Sequence, residues 1–206
     1  MKQAKMIKAF VMLAAVTLIA IPALAGNGNG AGEGISPLSV KEIDHLTFVR
    51  EEEKLARDVY LHMNEVYAVD EGTKIFYNIA ESEQKHMDTM LKMLIKYGLP
   101  DPAFAERGDF DNDELQVMYD TLVSSGEVSY IEALKVGVAI EVYDIIDIGE
   151  AIEDTDRVDL MTAYGHLVDG SYNHLASFCS TLATQGVTCE TQGIDPALFD
   201  AIMDIY

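Results

Sequence analysis

Four long amphipathic segments constrain this chain more than anything else in it, because each carries polar or ionisable residues in the middle of its apolar stripe. The first helix is predicted over about 39–68. Its stripe runs Leu46, Val49, Ala56, Tyr60, Met63, Tyr67, and Glu53 fills the gap. The second, about 73–97, runs Phe76, Ile79, Met90, Met93, Tyr97, with Glu83 and His86 between. The third, about 129–153, sets Leu134, Gly137, Ile148 and Ala151 around Glu141 and Asp144. The fourth, about 157–185, sets Leu160, Ala163, Leu167, Phe178 and Thr181 around Ser171 and His174. Steps of three and four residues place all of these on one helical face. Burying the stripes therefore buries the ionisable groups, which proteins do only when such groups are paired or bound to metal. One histidine on an apolar face is ordinarily a satisfied core residue. Four stripes broken at comparable depth imply helices that meet there, in an all-α, antiparallel four-helix bundle.

The rest of the chain agrees with helices. Ser39 with Glu42, and Ser129 with Glu132, have the spacing of a capping box. Thr73 is the expected cap of the second helix, and Gly98 with Pro100 its stop. Residues 98–128 are too long for a tight connection. They read as a crossover between the second and third helices that spans one end of the bundle and carries a short helix at about 112–124. Asp195 and Pro196 open a last short helix. Period-two alternation and hairpin signals are nearly lacking.

Residues 1–25 have Lys2, Lys5 and Lys8, an apolar run from Ala9 to Ile21, and Ala23-Leu24-Ala25. That is the pattern of a secretory signal peptide. A Gly-rich linker over 26–38 follows, and then a domain over 39–206. The expected location is outside the cytoplasm, periplasmic or extracellular. Cys179 and Cys189, the only cysteines, would form a disulfide there. The net charge of −21 disfavours nucleic acid and anionic membrane surfaces as partners and favours cations. No membrane span is expected after the signal. Whether the chain is a monomer or a homodimer is left open.

Converging mid-stripe, Glu53, Glu83, His86, Glu141, Asp144 and His174 supply carboxylates and imidazoles suited to iron, manganese or zinc. Glu51 and Glu52 read as a solvated face, His45, His62 and His166 as surface or supporting residues, and Met87, Met90 and Met93 as core. Asp109, Asp111 and Asp113 begin like a calcium loop, but Glu114 and Asp120 break its pattern, and helix capping explains the acids more simply.

The motifs EEEKLARDVY, ESEQKHMDTM, ALKVGVAIEVYDIIDI and DGSYNHLASF resemble those of the ferritin-like superfamily, its rubrerythrin-related branch, and most closely a domain-of-unknown-function family within it. The resemblance covers about 39–186. It implies that Glu53, with Ala56 and Tyr60, is the ligand motif of the first helix, that Glu83 and His86 form Glu-x-x-His, and that Glu141 and Asp144 match Glu-x-x-Glu. The fourth helix departs, reading Ser171-x-x-His174 where Glu-x-x-His is expected, so one bridging carboxylate is missing. The implied function is an exported metal-binding protein, a di-iron or mono-metal oxidase or peroxidase type. A non-enzymatic metal-sequestering protein and a metal-free interaction bundle are the alternatives. There is no CxxC pair to build a rubredoxin-like electron donor.

Overall fold

Ser39 starts the first helix as its spacing predicts. Its hydroxyl accepts the Glu42 N–H at 3.2 Å, and the Glu42 carboxylate accepts the Ser39 N–H at 2.7 Å. The computed structural model describes residues 36–190 and 193–206. The expected signal peptide, and the linker up to residue 35, lie outside the described residues. Six helices follow in order: α1 Val40–Tyr67, α2 Ile75–Tyr97, α3 Asp113–Gly126, α4 Tyr130–Glu153, α5 Val158–Thr184 and α6 Pro196–Ile205. No strand occurs among the described residues. No described helix is long and apolar enough to cross a membrane.

The bundle is made of α1, α2, α4 and α5, and the apolar stripes meet inside it. Two core clusters flank the mid-stripe polar layer. One holds Tyr60, Phe76, Leu134 and Phe178, the other Leu46, Met90, Leu94, Ile148 and Tyr164. Gly98 ends α2 at φ +70°, a left-handed conformation open to glycine at little cost. The second cap differs from expectation. Lys74 occupies the position before α2 and makes no side-chain cap, while Thr73 accepts the Ile75 N–H at 3.2 Å from one residue further out.

The crossover also corrects an expectation. It runs along the bundle rather than across one end. Asp101 grips Arg50 in the first half of α1, Asp109 and Glu106 hold Lys54 in its middle, and the Gly126 carbonyl accepts the Tyr67 hydroxyl at its last residue. The cause is direction. α2 and α4 run parallel, so the chain leaving α2 must return the full length of a helix before α4 can begin.

Cys179 and Cys189 are disulfide-bonded, with Cα atoms 5.1 Å apart, and tie the end of α5 to the segment leading to α6. Closing so short a loop stabilises by roughly 2–3 kcal/mol in the chain-entropy view. Replacing both cysteines by serine is expected to lower stability by about that much. A urea denaturation midpoint that does not move would contradict it.

Candidate metal centre

α1 contributes Glu53, α2 Glu83 and His86, α4 Glu141 and Asp144, α5 Ser171 and His174. All are 9% exposed or less. Three-residue spacing on α2 and α5 is what lets a helix present two groups to one point one turn apart. The layer resolves into two ligand sets. Glu53, Glu83 and His86 each offer a donor atom, and these lie within 4.8 Å of one another; Glu83, Glu141 and His174 do the same. Glu83 belongs to both, so its carboxylate lies between the sets. Asp144 joins neither set but sits against them, and feels the charges of Glu52, Glu53, Glu141 and Glu83.

Distances and directions tell different stories here. His86 Nδ1 lies 2.8 Å from Glu83 Oε2, and His174 Nδ1 lies 2.8 Å from Glu83 Oε1. Yet both Glu83 oxygens and His174 Nδ1 lack a hydrogen bond of acceptable angle, as do Glu53 Oε1, Glu141 Oε2 and both oxygens of Asp144, among the described residues. Direction decides here, because a hydrogen bond weakens steeply as donor and acceptor turn away from each other. Donor atoms that crowd together without pointing at one another suit ligands directed at a shared cation. Buried polar atoms left without partners are otherwise rare and costly.

The electrostatics fit the same reading. Burial, with the nearby Glu83 charge, pushes the Glu53 carboxyl up to about 8 against the pull of His86. Burial and the surrounding acids raise Asp144 well above the carboxylate range. Burial opposes the charge of Glu83, but His174 and His86 outweigh it and lower its pKa. Burial likewise opposes the charge of both imidazoles, and the carboxylates beside them raise His86 to about 11 and His174 to about 10. Without metal the centre therefore holds protons in place of cations. Tyr60 donates to Glu141 Oε1 at 2.5 Å and orients that carboxylate. Burial, reinforced by Glu141, keeps this phenol protonated.

Every candidate residue from the sequence lies in this layer. Ser171 is there too, 1% exposed, with its hydroxyl donated to the Leu167 carbonyl at 3.2 Å rather than directed at a ligand. Outside the layer, His45 pairs with Asp154 and His62 with Glu127. His166 is exposed, and Met87 and Met90 are core. Asn112 caps α3 by accepting the Glu114 and Leu115 N–H groups, which fits the capping reading of that acidic stretch.

Two expectations fail. Glu51 and Glu52 are not solvated; each is 4% exposed. Glu51 accepts the N–H groups of Asp111 and Asn112 from the crossover, and Glu52 meets Asp147 of α4. Sequence alone also misses Gly170. A Cβ there would fall 2.5 Å from His86 Cε1, so the glycine makes room for the imidazole. Gly170→Ala is expected to cost about 1–3 kcal/mol through overpacking. An unchanged midpoint in chemical denaturation would show that the His86 ring has room to move.

The chain is 40% identical over 168 residues to "Uncharacterized protein MJ0754" of Methanocaldococcus jannaschii, covering 81% of this chain and 89% of the relative. The crystal structure of the hypothetical protein MJ0754 from Methanococcus jannaschii matches with a TM-score of 0.80 at 38% identity. That match covers 85% of this chain and 99% of that one. Residues 42–205 match a family model described as "Uncharacterized protein domain (DUF2202)", and the chain belongs to that family.

Proposed function

We propose that this chain is an exported, ferritin-like metal-binding protein whose centre takes two divalent transition-metal ions, iron first, with manganese or zinc as alternatives. One observation carries the reading: two buried ligand sets share Glu83, and carboxylate oxygens of both sets lack hydrogen-bond partners. Glu53 and His86 would hold one ion, Glu141 and His174 the other, with Glu83 between them and Asp144 beside. Carboxylate with imidazole suits these metals, and thiolate-selecting metals are disfavoured. The missing carboxylate at Ser171 leaves the two positions unequal, so one ion is held more tightly. The disulfide and the signal-like leader support export.

Iron bound there supplies oxygen or peroxide redox chemistry, which makes an oxidase or peroxidase activity the enzymatic version of this proposal. The protein's own part is to keep the site dry, to orient Glu141 through Tyr60 and to place His86 through Gly170. A second version is a metal-free bundle, in which protonated His86 and His174 offset part of the buried negative charge. Elemental analysis of protein purified without added metal, followed by titration calorimetry, separates the two. One tight and one weaker equivalent is the expected result, and none at micromolar iron, manganese and zinc leaves the metal-free bundle.

Metal binding should also release protons. Imidazole ligates only when neutral, and His86 and His174 hold protons in the free protein. Affinity should therefore fall as pH is lowered. Potentiometric titration in weak buffer checks this, and no proton release on loading would contradict ligation by the two histidines.

A further inference from the structure

The candidate ligands are 9% exposed or less, so an ion needs a path through the bundle. Antiparallel helices bring residues together at intervals of seven, about 10 Å apart along the axis. α1 and α4 show this spacing. His45 meets Asp154 at 3.0 Å. Seven residues on from His45 is Glu52, seven back from Asp154 is Asp147, and these two carboxyls are in contact. Beyond them lie Glu53 and Asp144. The line runs from exposed Glu150 and half-buried Asp147, through Glu52 at 4% exposure, to the centre.

Two carboxylates in contact need a cation between them, a proton or a metal ion. Glu52 Oε2 is buried and has no partner. The charges that bear on Glu52 are Asp147 and Glu53, and the charge that bears most on Asp144 is Glu52. Glu52 thus stands between a surface acid and the ligand layer. The other seams suit a cation less. Arg57 bridges α1 and α2, donating to Asp58 and Gln84 beside Glu83. Between α2 and α5 the His86 ring packs on Gly170, and between α4 and α5 Phe178 packs on Gly137.

We infer that divalent metal ions enter the buried centre along the α1–α4 seam, passed inward from Asp147 to Glu52 and then, past Asp144, to the ligand Glu53. This rests on the metal reading above. Asp147 and Glu52 serve the path and are not ligands of the final site.

The test is uptake of Co²⁺ by the metal-free full chain, followed by its visible absorption in a stopped-flow instrument. Asp147→Asn and Glu52→Gln should each slow loading by about tenfold, the low end of electrostatic steering effects. Stoichiometry and equilibrium affinity should not change. Asp147→Asn alters a half-buried group and keeps the test open if Glu52→Gln disturbs folding. Asp120→Asn, on exposed α3, should load at the wild-type rate and so controls for net charge. Unaltered rates in both seam variants overturn the route. A lost equivalent in either variant makes that residue a ligand and overturns it as well. Failure of wild type to take up Co²⁺ instead overturns the metal reading itself.

Discussion

Protein stripped of metal by a chelator is expected to melt roughly 10 °C below metal-loaded protein. An ion at a thousand times its dissociation constant stabilises the folded state by about 4 kcal/mol. For a domain of this size each kcal/mol is worth about 2–4 °C. The physical source is the layer of Glu53, Glu83, Glu141 and Asp144, desolvated together and set against only two imidazoles. Because Glu83 belongs to both ligand sets, Glu83→Gln should remove nearly all of the metal-induced increment. Glu53→Gln or His174→Ala should remove only part. Ser171→Glu should strengthen the weaker position. The quantity to compare is the increment on loading, measured by calorimetry for each variant, since metal-free stabilities will themselves differ. Equal melting temperatures of stripped and loaded wild type would end the metal proposal, and a full increment in Glu83→Gln would show that the two sets do not share that carboxylate.

Lys54→Ala is expected to destabilise by about 3–5 kcal/mol, the range for breaking one side of a buried ion pair. Lys54 and Asp58 are both fully buried. The ammonium donates to Asp58 Oδ2 at 2.7 Å and to the carbonyls of Glu106 and Asp109 at 2.9 and 3.0 Å, so all three of its protons are used. It also lies 4.3 Å from the Phe110 ring centroid. Asp58 accepts from Arg57 and from the Gly108 N–H as well. One pair therefore fastens the crossover to the middle of α1. Lys54→Met with Asp58→Leu should recover part of the loss, because no lone charge remains. Recovery should stay incomplete, since the Glu106 and Asp109 carbonyls lose their donor. Guanidinium unfolding gives the values, and a loss under about 1 kcal/mol for Lys54→Ala would mean that the crossover relaxes to let water reach Asp58.

Much of this is legible in the sequence. A stripe at steps of three and four is a local property, and it fixed which residues on each helix face inward. Glu53, Glu83, His86, Glu141, Asp144 and His174 follow from it, because each occupies a stripe position. Ser39, Ser129, Gly98 and Asp195 mark helix ends through contacts within a few residues. The disulfide followed from a single cysteine pair.

What the sequence left open depends on partners far apart in the chain. Glu51, Glu52, Lys54 and Asp58 lie off the main stripe of α1, and a charged residue there is by default solvated. Their burial comes from the crossover, whose contacts with Glu51, Lys54 and Asp58 are fifty or more residues away, and from Asp147 on α4. Gly170 carried no signal, because its role is a distance to the His86 ring on another helix. That Glu83 is shared was also not readable, since helical spacing gives a direction on one helix and not the meeting point of four. The sequence by itself determined the helices, their inward faces and the polar layer, because periodicity and capping are short-range. The tertiary structure alone decided which ligands group together, which charges are sealed beneath the crossover and where a cation has a way in, because those depend on distances between helices.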